Sequence, residues 1–248
     1  MSNQIAVDGF EIAQDFAFGP DKTPVYVSAE GEKPLIVLHE LPGMSPSFID
    51  YSRSMSRRGF RVYMPLLFKQ PGTEMSASRS VVFCMSGEFK RLFDRAPDKQ
   101  DRPFTQALLQ LIEDVAAQQP DCDIGVIGMC LTGGFALAGI ASPNVSAAVA
   151  CQPSYPFFSG YETLGLSDEL RAAIRARGNT LPKPCARLYR YSRDRISREP
   201  HASAAEELLG DAIDRFPDLD GSAHSTLTGK SISFAVFDDV EEFLNARL

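Results

Sequence analysis

Asp123-Ile-Gly-Val-Ile-Gly-Met-Cys-Leu-Thr-Gly-Gly-Phe-Ala-Leu-Ala-Gly139 runs an apolar strand into a glycine-flanked cysteine and from there into a small-residue helix. This order of residues reads as a nucleophile elbow, a sharp strand-to-helix turn that exposes one side chain at its tip, here Cys130. The first helical N–H groups lie beside that tip, where they favour a thiolate and face any oxyanion it generates. A thiol attacks as its anion, so a base is needed as well. The turn alone does not establish catalysis, because a buried cysteine between a strand and a helix is also a common structural element.

Outward from the elbow the chain reads as alternating strands and helices. On the N-terminal side, Glu11–Phe18 and Val25–Ser28 form an antiparallel edge joined through Gly19-Pro20-Asp21. Lys33-Pro-Leu-Ile-Val-Leu-His-Glu40 is a nearly continuous apolar run, as in a buried parallel strand whose C-terminal end reaches a functional rim. A helix over Pro46–Arg58, stopped by Gly59, leads to a second buried strand, Arg61–Phe68. Beyond the elbow follow strand Ser146–Gln152, helix Ser167–Arg177, strand Cys185–Tyr191, helix Ala202–Phe216 and a final helix near Phe234–Ala246. The pattern predicts an α/β fold, a mostly parallel central sheet with helices on both faces, in a single domain spanning 1–248. Residues 69–103 interrupt the rhythm with a helix over Ser78–Phe93 between Pro- and Gly-containing turns, and read as an excursion that forms part of a lid or pocket wall, or as a plain surface insertion.

Composition narrows the function classes. The 248 residues are 44% hydrophobic, enough for one large core, and 25 basic against 32 acidic residues leave a net charge of -7. That balance, without a basic cluster, disfavours nucleic acid and anionic membrane surfaces as partners. There is neither a leader-type N-terminus nor an apolar run of membrane-spanning length, so a cytoplasmic protein is expected. The five cysteines, Cys84, Cys122, Cys130, Cys151 and Cys185, are odd in number and lack C-x-x-C spacing, which suggests reduced thiols and neither disulfides nor a zinc site.

The remaining chemistry follows the chain order nucleophile, acid, histidine that marks hydrolytic triads on α/β sheets. Strand Cys185–Tyr191 ends in Ser192-Arg193-Asp194, and a later loop carries Ala223-His224-Ser225. Asp211, Asp214, Asp218 and Asp220 compete with Asp194 as the residue orienting His224. Of the other two histidines, His39 reads as a packed or rim residue and a minor alternative base, and His201 as a solvated or capping residue.

His39-Glu40-Leu41-Pro42-Gly43, Gly128-Met-Cys-Leu-Thr-Gly-Gly134, Asp194 after a strand, and Ala223-His224-Ser225 together resemble the dienelactone hydrolase family of α/β-hydrolases. The resemblance runs from about Pro34 to the C-terminus. It implies an ester or lactone hydrolase acting on a small molecule through a cysteinyl acyl-enzyme, with no metal or organic cofactor. Cys130 is then the nucleophile, His224 the base, Asp194 its orienting partner, and Glu40 a carboxylate that acts on the thiol. The backbone N–H groups of Leu41 and Leu131 form the oxyanion hole. Two features depart from the family pattern. Thr132 stands where a glycine is usual, two residues after the nucleophile, and the 69–103 excursion offers only Arg79 and Arg91 for holding a substrate carboxylate. Those departures keep open a catalytically silent member used for binding or assembly. A nucleotide-binding reading of the elbow lacks both G-x-G-x-x-G and G-x-x-x-x-G-K-[ST].

Overall fold

The computed structural model describes residues 5–41, 43–68, 70–73, 83, 86–93, 101–154 and 164–248. Eight strands form one open sheet in the order β1-β2-β4-β3-β5-β6-β7-β8: β1 Phe10–Phe18, β2 Thr23–Ser28, β3 Lys33–Leu38, β4 Phe60–Pro65, β5 Ile124–Met129, β6 Val145–Cys151, β7 Ala186–Tyr189 and β8 Ile213–Arg215. β1 and β2 are the antiparallel edge, and β3 to β8 run parallel. The expected architecture is therefore the observed one.

Alternation of side chains along the strands divides the core in two. Ile36, Leu38, Val126 and Ala148 face a layer built on α3 (Pro103–Gln118), α5 (Asp168–Gly178) and α6 (Glu199–Leu209). Leu35, Val37, Ile127 and Val149 face α1 (Pro46–Arg57) and α7 (Phe234–Asn245) on the other side. These central strands are fully buried on both faces, which is why their sequences are continuous rather than alternating apolar runs. Two shorter helical elements complete the set, α2 (Gly87–Phe93) and α4 (Gly133–Ala136). The helix ends follow local chemistry. Ser45 caps α1 by accepting the Phe48 N–H at 3.3 Å, with Pro46 in the first turn. Ser167 caps α5 in the same way, and Asp168 and Glu169 at its start with Arg175 and Arg177 at its end complement the helix dipole.

Three boundaries differ from expectation, each for an identifiable reason. The helix expected over Ala202–Phe216 ends at Leu209, because Gly210 takes φ +56° and turns the chain into β8, which pairs with β7. A three-residue strand behind a helix carries too little periodicity to be read from sequence. β4 ends at Pro65 rather than Phe68, since the Leu67 N–H turns from the sheet to the His39 ring. The helix after the elbow is short and mixed, 3-10 over Cys130–Thr132, α over Gly133–Ala136, and 3-10 again over Leu137–Ala141. Of the helix expected over Ser78–Phe93, the described part is α2, while 74–82, 84 and 85 lie outside the described residues.

Register places the functional rim. Leu38 is paired with Gly128, Met129 with Cys151, and Cys151 with Tyr189, so β3, β5, β6 and β7 finish level with one another. The residues just beyond those ends share one edge. β3 is also where the strand order reverses, with β4 on one side and β5 on the other. Glu40 and Cys130 leave the sheet at that switch point, where open α/β sheets form their ligand crevice.

Candidate active site

At the tip of the elbow Cys130 takes φ +54°, the left-handed region that costs a non-glycine residue about 1–3 kcal/mol. Its neighbours enforce that conformation. Gly128 has no room for a side chain, since a Cβ there would lie 2.2 Å from the Thr132 carbonyl oxygen. Thr132, the residue that departs from the family pattern, ties the turn together. Its hydroxyl accepts the Met129 N–H at 2.9 Å and lies 3.1 Å from the Leu38 carbonyl and 2.9 Å from that of Met129. The β-branched residue thus links the end of β3 to the end of β5, and the turn tolerates it.

Asp194 and His224 meet across two loops. The 192–194 backbone is held against 219–221 by the Ser192 N–H on the Leu219 carbonyl and the Arg193 N–H on the Gly221 carbonyl. Asp194 is buried. Its Oδ1 accepts the Ile196 N–H at 2.8 Å, and its Oδ2 lies 2.7 Å from His224 Nδ1. The four competing aspartates are engaged elsewhere: Asp211 with Lys183, Asp214 with Arg187, Asp218 with Arg190 and Arg215, and Asp220 with Arg193. His224 Nε2 is buried and, the Cys130 sulfur apart, has no hydrogen-bond partner among the described residues. Burial opposes charge on this ring, but the Cys130 sulfur and the Asp194 carboxylate outweigh it and hold the imidazolium form well above the ordinary histidine range.

Glu40 completes the cluster. One of its carboxylate oxygens, the Cys130 sulfur and a His224 ring nitrogen all lie within 4.8 Å of one another. The carboxylate is buried and held by neutral donors, namely the Ser225 hydroxyl at 3.0 and 3.1 Å, the Thr228 hydroxyl, and Gln152 Nε2 at 3.4 Å. Gln152 is itself fixed, with φ +37° and its amide oxygen accepting from Thr226 Oγ1 at 2.7 Å. Ser154 stands on the other side of the thiol, with its hydroxyl 3.2 Å from Cys130 Sγ and its N–H on the Cys130 carbonyl at 3.0 Å. Ser154, Gln152 and Thr228 were not foreseen from the sequence. Their only signal is that two of them lie within three residues of the rim end of β6 and the third sits four residues beyond His224.

The two remaining histidines are structural. His39 is buried, with Nδ1 3.1 Å from the Glu40 carbonyl and Nε2 accepting the Leu67 N–H at 3.0 Å, and burial pushes its pKa down to about 4. Both ring nitrogens are occupied, which removes it as a base. His201 is buried in α6, not solvated, because its position in the helix faces the sheet-side layer with Ala202 and Ala205. Leu131 directly follows Cys130 and is buried, and Leu41 packs against the core beside the tight turn closed by the Gly43 N–H on the Glu40 carbonyl. Arg91 is engaged with Asp21 at 3.0 Å, both side chains about half exposed, whereas Arg79 and Cys84 lie outside the described residues. Among the other described cysteines Cys122 is exposed, and Cys151 and Cys185 are buried, burial pushing the Cys151 thiol up to about 12 and raising that of Cys185.

A strained elbow, a buried acid–histidine pair and a thiol brought together at a strand switch point define an α/β-hydrolase. Comparison with known proteins agrees with this class. The dienelactone hydrolase family profile matches residues 22–178, well over half of the chain, and ends before Asp194 and His224. The chain belongs to the dienelactone hydrolase family, a family of carboxylic ester hydrolases. No curated protein matches it. Among solved structures it is similar to a dienelactone hydrolase from Anabaena variabilis (15% identity, 96% of this chain and 98% of that one covered, TM-score 0.59). It is also similar to the esterase Pf2001 from Pyrococcus furiosus (13%, 98% and 98%, TM-score 0.58) and to TT1662 from Thermus thermophilus (17%, 96% and 99%, TM-score 0.60). At these identities the likeness concerns the fold. No described helix is long and apolar enough to cross a membrane.

Proposed function

We propose that this protein hydrolyses an ester or lactone bond of a small molecule through Cys130, His224 and Asp194. The observation that carries the reading is the meeting of the strained Cys130, the buried Asp194–His224 pair and Glu40 at one switch point. The thiolate, paired with the His224 imidazolium, attacks the carbonyl carbon and forms a C–S bond. The Leu41 and Leu131 N–H groups face the resulting oxyanion. As the intermediate collapses the C–O bond breaks, and His224 passes its proton to the leaving alkoxide. Water, deprotonated by His224, then attacks the thioester, releasing the acid and restoring the thiolate. Asp194 holds the ring so that Nε2 faces the sulfur.

Glu40 acts on the thiol as an acceptor for its proton before attack, and three neutral hydrogen-bond partners keep the carboxylate aimed. The Ser154 hydroxyl supplies the opposite contact, a donor that steadies the sulfur as it becomes anionic. The test is turnover of an activated ester by wild type and Cys130→Ala. Loss of turnover in a folded variant is expected. Undiminished turnover would move the chemistry elsewhere.

A further inference from the structure

The same three side chains that serve ester cleavage have the composition of a metal-binding site. We propose that Cys130, His224 and Glu40 bind one thiophilic divalent cation, Zn2+, which takes the place of the substrate carbonyl and switches hydrolysis off. The inhibitory consequence rests on the proposed hydrolase reading, and the binding does not.

Thiolate, imidazole and carboxylate are the three ligand types Zn2+ takes, and three protein ligands with a fourth position open is its usual arrangement where it meets small molecules. With bonds of about 2.3 Å to sulfur and about 2.0–2.2 Å to nitrogen and oxygen, tetrahedral ligand atoms stand roughly 3.3–3.7 Å apart. Here the three atoms lie within 4.8 Å of one another, so modest side-chain rotation closes the set. Each ligand is prepared for that role. His224 Nδ1 is already engaged by Asp194 at 2.7 Å, leaving the buried Nε2 as the nitrogen turned to the Cys130 sulfur. A carboxylate on the far nitrogen of a ligating histidine fixes its ring and raises its basicity. Glu40 has no cationic neighbour among its hydrogen-bond partners, and since Ser225 has one proton for two carboxylate oxygens, an acceptor position stays open. A dication therefore meets a thiol and a carboxylate whose negative charge no arginine or lysine offsets at hydrogen-bond distance among the described residues. Binding releases the thiol proton and the Nε2 proton to solvent and changes no oxidation state. The sulfur favours Zn2+ over Mg2+ and Ca2+, which prefer all-oxygen sites.

Isothermal titration of the metal-free full chain with Zn2+ tests this. One Zn2+ per chain is expected, with binding weakened more than tenfold by Cys130→Ser and by His224→Gln, and Mg2+ producing no heat of binding. Asp194→Asn, which leaves all three ligands in place, is expected to cost about 10–100-fold in affinity. A second readout needs no variant. In the wild type, Zn2+ slows alkylation of Cys130 by iodoacetamide, mapped by mass spectrometry, and a chelator restores it. The proposal is overturned if the wild type shows no saturable Zn2+ binding, or if binding persists unchanged in Cys130→Ser and leaves Cys130 alkylation unaltered. Failure of the hydrolase reading looks different, since a chain that turns over no ester without metal can still bind one Zn2+ at Cys130.

Discussion

Asp194→Asn is expected to remove most of the activity while leaving the fold in place, and the geometry says why. Asp194 Oδ1 accepts the Ile196 N–H at 2.8 Å while Oδ2 meets His224 Nδ1 at 2.7 Å. Asparagine keeps its oxygen on the Ile196 N–H, because the flipped amide would set two donors against each other and leave a buried group unpaired at about 1–3 kcal/mol. Its NH2 group then points at Nδ1, which becomes an acceptor, and the ring proton moves to Nε2. A histidine with Nε2 protonated and neutral cannot take the proton from the attacking water. The expected fall in kcat/KM is roughly 10³–10⁴, as for the same change in other acid–histidine pairs, or about 4–5 kcal/mol of transition-state stabilisation. Hydrolysis of an activated ester measures the rate, and 15N NMR of the histidine ring reports the tautomer. Stability should shift with a definite sign. The folded His224 is raised above its unfolded value by Cys130 and Asp194 against the opposing effect of burial. Its contribution is therefore full below the unfolded value of about 6.5 and fades as pH rises through the raised folded value. The stability gap between wild type and Asp194→Asn should accordingly be widest in mild acid. An Asp194→Asn protein with kcat/KM within tenfold of wild type and an unchanged ring tautomer would refute the reasoning.

Two further substitutions probe the elbow and the carboxylate. Gly128→Ala sets a Cβ 2.2 Å from the Thr132 carbonyl oxygen, which the backbone of the elbow can relieve only by opening, so urea denaturation should show a loss of more than about 4 kcal/mol or no folded protein. Glu40→Gln keeps the shape and the hydroxyl donors but removes the charge beside the thiol. It should slow Cys130 alkylation, alter its pH profile and lower kcat, with thermal unfolding little changed, whereas unaltered alkylation across roughly pH 5–9, a range spanning the reference carboxylate and thiol titrations, would assign Glu40 to structure.

Much of the fold was legible because buried parallel strands write themselves as unbroken apolar runs. Pro34–Leu38, Ile124–Met129 and Val145–Cys151 are of that kind, and the register that aligns their ends follows from pairing them. The elbow was legible for a local reason, the need for glycine at 128 where the backbone closes on itself. Candidate residues at strand ends, Glu40, Cys130 and Asp194, were within reach for the same reason. What escaped depends on contacts between distant loops. Ser154 and Thr228 belong to no motif and acquire meaning only when β6 and the His224 loop converge on Glu40 and Cys130. His201 escaped because a histidine behind Pro200 looks like a helix-end polar residue until packing turns it inward. β8 escaped because its three residues gain strand character from pairing with β7, not from their own pattern.

The central claim is that Cys130 carries the acyl group, and direct observation of that bond tests it best. The full chain is mixed with excess activated ester, quenched in acid within the first turnovers and digested for mass spectrometry. The account predicts a single acyl adduct on the peptide containing Cys130, accumulating further when deacylation is slowed by Asp194→Asn and absent in Cys130→Ala. An acyl group on Ser154 or Ser225, or turnover that continues in Cys130→Ala without any cysteine adduct, would contradict it.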